Sequence, residues 1–288
     1  MKTRLLLAVL LLVTLTVTVS AQGGRTWASG VMIKNLDEDN PAQVTIAFYA
    51  EEDGNDANDA PVYTTTVTLA AGEAKACYIP SSFPDLPANF RGAAVLSSDK
   101  PIAANLNTQV AESGAGGSAS LPNRVGTARG IAEPSLTLYV TQAMKNAYST
   151  GWNSYIAVQN TNASDDANVM VRYYSDSTGA EVASETKTIS PYRNYIFEQS
   201  STTGLPDGFA GSARVESDKK VAAVLNFYNG GANASESQFH STDAAGAGGT
   251  TVYASRVVKD YYGYQGGLKI QNAGAASTDV TIKYNFGG

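Results

Sequence analysis

Apolar and polar residues alternate in short runs along this chain, and no ten-residue stretch keeps the 3.6-residue spacing of an amphipathic helix. Val44, Ile46 and Phe48 alternate with Gln43, Thr45 and Ala47, a period of two that turns one face inward and the other to water. That pattern predicts a β-strand. Residues 64–69 are rich in Thr and Val, and a turn at 70–73 leads back into a second strand at 74–79. Residues 81–87 carry two prolines and are expected to be irregular, after which 92–96 and 102–106 form a hairpin across 97–101.

The same order returns downstream. Strands are predicted at 186–189 and 194–197 around a turn at 190–193, then an irregular stretch at 200–207, then a hairpin of 212–215 with 221–225. The cause is an internal repeat. Residues 26–35, TWASGVMIKN, match 151–160, GWNSYIAVQN, and 263–272, GYQGGLKIQN. In each copy an aromatic residue (Trp27, Trp152, Tyr264) stands eight positions before an asparagine (Asn35, Asn160, Asn272). The match continues through 44–49 against 169–174, 90–92 against 209–211, and 98–100 against 217–219. A repeat of this length means tandem domains, so function is sought in the array before any single residue. With six or seven short strands per copy, the expected fold is all-β: tandem immunoglobulin-like β-sandwiches, the third copy incomplete.

The chain divides accordingly into a signal peptide at 1–21, a first repeat at 22–110, a Gly/Ala/Ser-rich linker at 111–134, a second repeat at 135–240, a linker at 241–250 and a partial third repeat at 251–288. Strand-like lead-ins precede the second and third copies at 136–148 and 252–262, with Tyr139, Lys145 and Tyr148 matching Tyr253, Lys259 and Tyr262. The first copy has none. The third copy stops just after the strand that matches 169–174. Two explanations stay open: a fragment of a longer product, or spare strands that complete a neighbouring copy, which repeated head to tail builds a filament.

Lys2 and Arg4, the apolar run 5–19 and the small residues Val19-Ser20-Ala21 read as an export signal. No other long apolar run follows, so the mature chain is expected outside the cell without a membrane span. Losing the signal removes two of the 20 basic residues and none of the 26 acidic ones, leaving a net charge of −8. That charge disfavours nucleic acid and anionic lipid as partners. Cys77 is the only cysteine, so no intrachain disulfide forms and packed cores must supply stability. Its apolar surroundings mark it as a small buried hydrophobe.

Little points to catalysis, and an enzyme is not expected. His240 is the only histidine and sits in a polar stretch without a counterpart in the first copy. Ser97 with Lys100, and Ser217 with Lys220, imitate a Ser-x-x-Lys nucleophile, but both pairs fall where hairpin turns are predicted. Asp53, Asn55, Asp56, Asn58 and Asp59 gather hard oxygen donors around one glycine, as calcium requires. Their spacing departs from an EF-hand loop and the second copy lacks them, so a solvated acidic loop competes with a calcium site; no other cofactor is implied. Among sixteen tyrosines, Tyr173 and Tyr174 are candidate glycan contacts, with Tyr261 and Tyr262 as further surface aromatics. Trp27, Trp152 and Tyr264 are assigned instead to the cores of their repeats, with Asn35, Asn160 and Asn272 bonding a turn at the end of the first strand.

In its signal peptide, repeat spacing and predicted architecture the chain resembles bacterial secreted or surface proteins built from tandem β-sandwiches, as in adhesins, stalks and extracellular filaments. The resemblance implies a structural or adhesive role at the cell surface, with itself or other surface proteins as partners. An array of carbohydrate-binding modules, with extracellular polysaccharide as partner, is the alternative.

Overall fold

The period of two governs burial as well as spacing. In β3 (Ala42–Ala50), Val44, Ile46 and Phe48 are fully buried while Gln43 is exposed. The structure, a computed structural model, describes residues 9–13, 25–53, 59–112, 124–229, 238–263 and 266–284. Among these are fifteen strands and one short helix, Ile79–Ser82, at the start of the proline-bearing stretch. The fold is all-β, two sandwiches in tandem.

The first sandwich has one sheet in the order β1 (Val9–Val13), β6 (Gly92–Ser98), β3, β4 (Tyr63–Leu69). Its other sheet runs β5 (Ala74–Tyr78), β2 (Arg25–Asn35), β7 (Ile102–Glu112), β8 (Arg124–Arg129). The second sandwich comprises β9 (Ser135–Lys145), β10 (Trp152–Asn160), β11 (Ala167–Ser175), β12 (Glu181–Ile189), β13 (Asn194–Glu198), β14 (Phe209–Asn229) and β15 (Gln238–Asp243). Here β14 is one long strand serving both layers. Its first half pairs with β11 and β9, and its second half with β10 and β15. In the first sandwich the same passage breaks between β6 and β7, where Pro101 fixes φ and offers no N–H.

Equivalent positions fill both cores: Val31 and Ile156, Ile33 and Val158, Val44 and Val169, Ile46 and Val171. Each such side chain contributes about 1.5–3 kcal/mol by leaving water. Cys77 is buried opposite Val31, where Phe197 stands opposite Ile156 in the second copy. Both sandwiches also turn the same tight corner at the start of β6 and of β14. A Cβ on Gly92 would lie 1.9 Å from the Tyr49 carbonyl oxygen, and one on Gly211 would lie 2.2 Å from that of Tyr174. Only glycine fits such an approach.

Several expectations need correction. Arg124–Arg129, inside the stretch expected to be a linker, forms β8 as the edge strand of the first sandwich. Ser241 to Asp243, expected to open the second linker, lie within β15. Each sandwich thus has eight strand positions rather than six or seven. The reason is that both extra strands are short and polar, and are held by the strand beside them and by each other's sandwich. Across that junction a Cβ on Gly126 would press on Phe239, Arg129 pairs with Asp243 at 2.5 Å, and the Tyr49 ring packs tilted on Tyr192 at 5.1 Å. In the partial third repeat, none of the described residues from 251 to 284 belongs to a named strand.

Candidate functional site

The functional candidate is a strand position at the sheet edge, and the two sandwiches fill it differently. In the second sandwich β9 lies against β14, with Leu138 opposite Val215 and Val140 opposite Ala213. In the first sandwich β1 lies against β6, with Leu11 opposite Leu96 and Val13 opposite Ala94. Leu96 and Ala94 occupy the positions of Val215 and Ala213, so β1 and β9 take the same place in the same register. The first sandwich therefore completes its sheet with the apolar run of the expected signal peptide. Without that strand, β6 would present the unpaired N–H and C=O groups of an apolar edge, a template for another chain.

What seats β9 is a line of apolar side chains and one buried polar chain. Leu138, Val140, Ala143, Met144 and Ala147 are all at most 2% exposed. The Met144 N–H donates to Ser154 Oγ at 2.9 Å, and Ser154 donates to Gln199 Oε1 at 2.7 Å. Gln199 Nε2 donates to the Tyr173 hydroxyl at 2.9 Å, which donates to Glu185 at 2.5 Å; Thr202 also donates to Glu185, at 2.9 Å. Burial, followed by the Glu185 charge, raises the Tyr173 phenol well above its ordinary pKa, so it stays a proton donor. Every member is satisfied, as a buried network must be. In the first sandwich Ser29 stands where Ser154 does. It is fully buried, yet its Oγ has no hydrogen-bond partner among the described residues.

Residues 252–262 repeat the β9 pattern without its surroundings. Val252, Tyr253 and Val257 occupy the places of Leu138, Tyr139 and Ala143, yet are 82%, 90% and 49% exposed. The backbone carries the same signature. Asn146, Tyr148 and Gly151 have φ of 46°, 58° and 68°, and Asp260, Tyr262 and Gly263 have φ of 52°, 51° and 81°. Positive φ is uncommon outside glycine, so its recurrence at Asn146 and Asp260 and at Tyr148 and Tyr262 marks the same end to the lead-in, although the glycine follows two residues sooner in the later copy. The chain beyond lies on the second sandwich: Gln271 donates to the Ala213 carbonyl at 3.1 Å, Tyr139 donates to that of Ala273 at 3.2 Å, and Lys269 pairs with Asp176.

The residues singled out in the sequence fare unevenly. Tyr173 is fully buried, which corrects its assignment as a surface glycan contact; in the Tyr-Tyr pair the strand turns one ring in and one out. Tyr174 is half-buried on the outer face, its ring 5.8 Å from the Arg214 guanidinium. Trp152 is half-buried rather than core, packed on Phe227 at 5.8 Å at the end of β10. The Trp27 side chain and Tyr264 lie outside the described residues. Tyr261 and Tyr262 are exposed, with rings 4.7 Å apart.

The asparagines act alike in all three copies. Asn35 Nδ2 donates to the Asn40 and Ala70 carbonyls at 2.8 and 3.0 Å, and Asn160 Nδ2 to those of Asp165 and Ile189 at 2.8 and 2.9 Å. Asn272 Nδ2 donates to the Ala276 carbonyl at 2.7 Å, but is exposed, unlike the other two, so it is not a core residue here. Asn55, Asp56 and Asn58 of the calcium candidate lie outside the described residues, and Asp53 and Asp59 are exposed at its two ends. Lys100 pairs with Asp37 at 3.6 Å, and Ser217 and Lys220 lie inside β14 rather than in a separate turn. His240 is exposed and rests on Phe227 at 4.8 Å.

A crevice between the sandwiches is lined by Glu52, Asn168, Met170, Lys187 and Ser190 among others, with no aromatic ring on which a sugar could stack. The edge position was half-legible in the sequence, through the missing lead-in of the first copy; Ser29 was not, because a buried serine without a partner looks like any other. No family model matches the chain, and no curated protein or solved structure is detectably similar to it.

Proposed function

We propose that this chain is an extracellular structural subunit, an array of immunoglobulin-like β-sandwiches exported by its N-terminal signal and assembled from copy to copy by strand addition. One observation carries the reading: the first sandwich fills its edge position with residues 9–13, which signal removal would take away. The exported chain would then hold an open apolar edge at one sandwich and an unseated strand-like segment after the other. Complementary surfaces of that kind join head to tail, and build an open filament where the rotation between copies does not close a ring.

The test compares the exported chain, residues 22–288, with one ending at Asp243, by sedimentation and negative-stain microscopy. The longer chain is expected to form filaments and the shorter to remain monomeric. Monomers in both would overturn the reading. A second reading, binding of polysaccharide, has the exposed Tyr261 and Tyr262 rings in its favour. Retention of the chain on insoluble polysaccharide, lost on Tyr262→Ala, would support it.

A further inference from the structure

We infer that the occupant of the first sandwich's open edge is the segment 251–258 of a second copy of this chain, seated in the register that β9 holds on β14. The inference rests on the assembly reading above and specifies its contact.

Three observations converge. The slot has a known shape, because its equivalent in the second sandwich is filled. Matching β9 to the later segment places Thr251 opposite Ser97, Val252 opposite Leu96, Ala254 opposite Ala94, and Val257 opposite Gly92. Val252 and Ala254 would then point inward where Leu138 and Val140 do, and Val257 and Val258 would take the apolar places of Ala143 and Met144. All four are apolar, as the slot requires.

The second observation is polar. Ser29 is fully buried with no partner among the described residues, while its counterpart Ser154 receives the Met144 N–H. In the inferred register the residue in Met144's place is Val258, whose N–H would reach Ser29. A hydroxyl covered there without a partner would cost roughly 1–3 kcal/mol, and a strand arriving in this register supplies the partner as it covers the site. The Gln199 place is taken by Ile79, so no neighbour within the sandwich substitutes.

The third is conformational. The segment already carries at Asp260 and Tyr262 the positive φ that ends the lead-in at Asn146 and Tyr148. Less ordering is therefore needed when it docks, which favours association.

The experiment is a register-specific cross-link in the exported chain, residues 22–288, with Cys77→Ala as background. Ser97→Cys together with Thr251→Cys is expected to give a ladder of covalent dimers and higher multimers on mild oxidation. Ser97→Cys with Arg256→Cys, about 16 Å further along the strand, is expected to give none. Unoxidised samples are sedimented in parallel. Polymers that sediment but fail to cross-link at 97 and 251 would overturn the donor assignment while leaving assembly standing. Chains that sediment only as monomers would overturn both. A faster-migrating monomer, closed within one chain, would overturn the exchange between copies. Because the double variant could misfold, a synthetic peptide of residues 249–263 is also added to the unmodified chain. It is expected to abolish the sedimenting fraction, and a peptide with Val252→Ser, Ala254→Ser and Val258→Ser is expected to leave it intact; equal behaviour of the two peptides would overturn the inference.

Discussion

The two sandwiches place equivalent strands in the same order, yet they stabilise the space beneath the edge strand by opposite means. In the second, Tyr173 joins Ser154, Gln199, Glu185 and Thr202 in a buried polar chain that reaches up to β9. In the first, Phe48 takes the Tyr173 place and packs on Phe83 at 5.2 Å, Phe90 at 5.9 Å and Tyr63 at 6.0 Å. Ile79 and Thr65 replace Gln199 and Glu185. An aromatic cluster needs no partners for its atoms, so this core is self-sufficient except at Ser29. A polar chain binds its edge strand by name, through the Met144 N–H. One sandwich thus holds its edge strand in place by a specific bond, and in the other no described residue makes that bond.

Changes at the shared corner should hurt both sandwiches alike and have the largest effect. Gly92→Ala and Gly211→Ala each force a methyl into a backbone oxygen, at 1.9 and 2.2 Å, and each should cost about 3 kcal/mol. Denaturant unfolding followed by local probes would check this; a cost in only one sandwich would break the equivalence of the corners.

Exchanging the central aromatics should separate them. Tyr173→Phe removes a charge-assisted bond to Glu185 and one from Gln199, which keep Thr202 and the Phe197 carbonyl as partners, and should cost about 2 kcal/mol, while Phe48→Tyr buries a hydroxyl beside Ile79 and should cost about as much. If either change proved neutral in unfolding titrations, the contrast between polar chain and aromatic cluster would not be energetic.

The serines sharpen the point further. Ser154→Ala removes the acceptor of the Met144 N–H and should destabilise the second sandwich by about 1–2 kcal/mol. Ser29→Ala removes a buried group without a partner and should leave the melting of the unassembled chain unchanged or slightly higher. Under the strand-addition proposal it should nevertheless weaken association, which sedimentation would read.

The smallest effect concerns pH. Burial raises the carboxyl of Glu198, which accepts from Tyr228 at 2.9 Å, above its ordinary value. A carboxyl raised on folding contributes stability that is full below its unfolded value and is lost as pH rises through the folded one. On mild acidification from neutrality Glu198 should therefore favour the folded chain, against His240, whose imidazole is held below its ordinary value by desolvation, and Glu198→Gln should make the melting temperature respond less favourably to acid. The lowered carboxyl of Asp218, held by Asn168, works the other way only once pH falls below the ordinary carboxylate range.

Much of this was legible in the residues. The alternation at Val44, Ile46 and Phe48, the repeat of aromatic and asparagine, and the absent lead-in of the first copy announced two sandwiches and a gap. Strands β8 and β15 were not legible, because RVGTAR and QFHSTD lack an apolar run; their inner faces find cover only on each other's sandwich. Nor could the adjacent rings Tyr173 and Tyr174 be assigned to core and surface before the pairing of β11 set which faced inward.

By itself, then, the sequence determined the strands, their repeat and the turns that Asn35, Asn160 and Asn272 tie, because these depend on spacing and on bonds within a few residues or one hairpin. Only the tertiary structure decided what lies beside each edge, which buried hydroxyl is satisfied and which ring is inside. Those outcomes depend on strands far apart in the chain meeting in one register, and a shift of one residue would reverse every one of them.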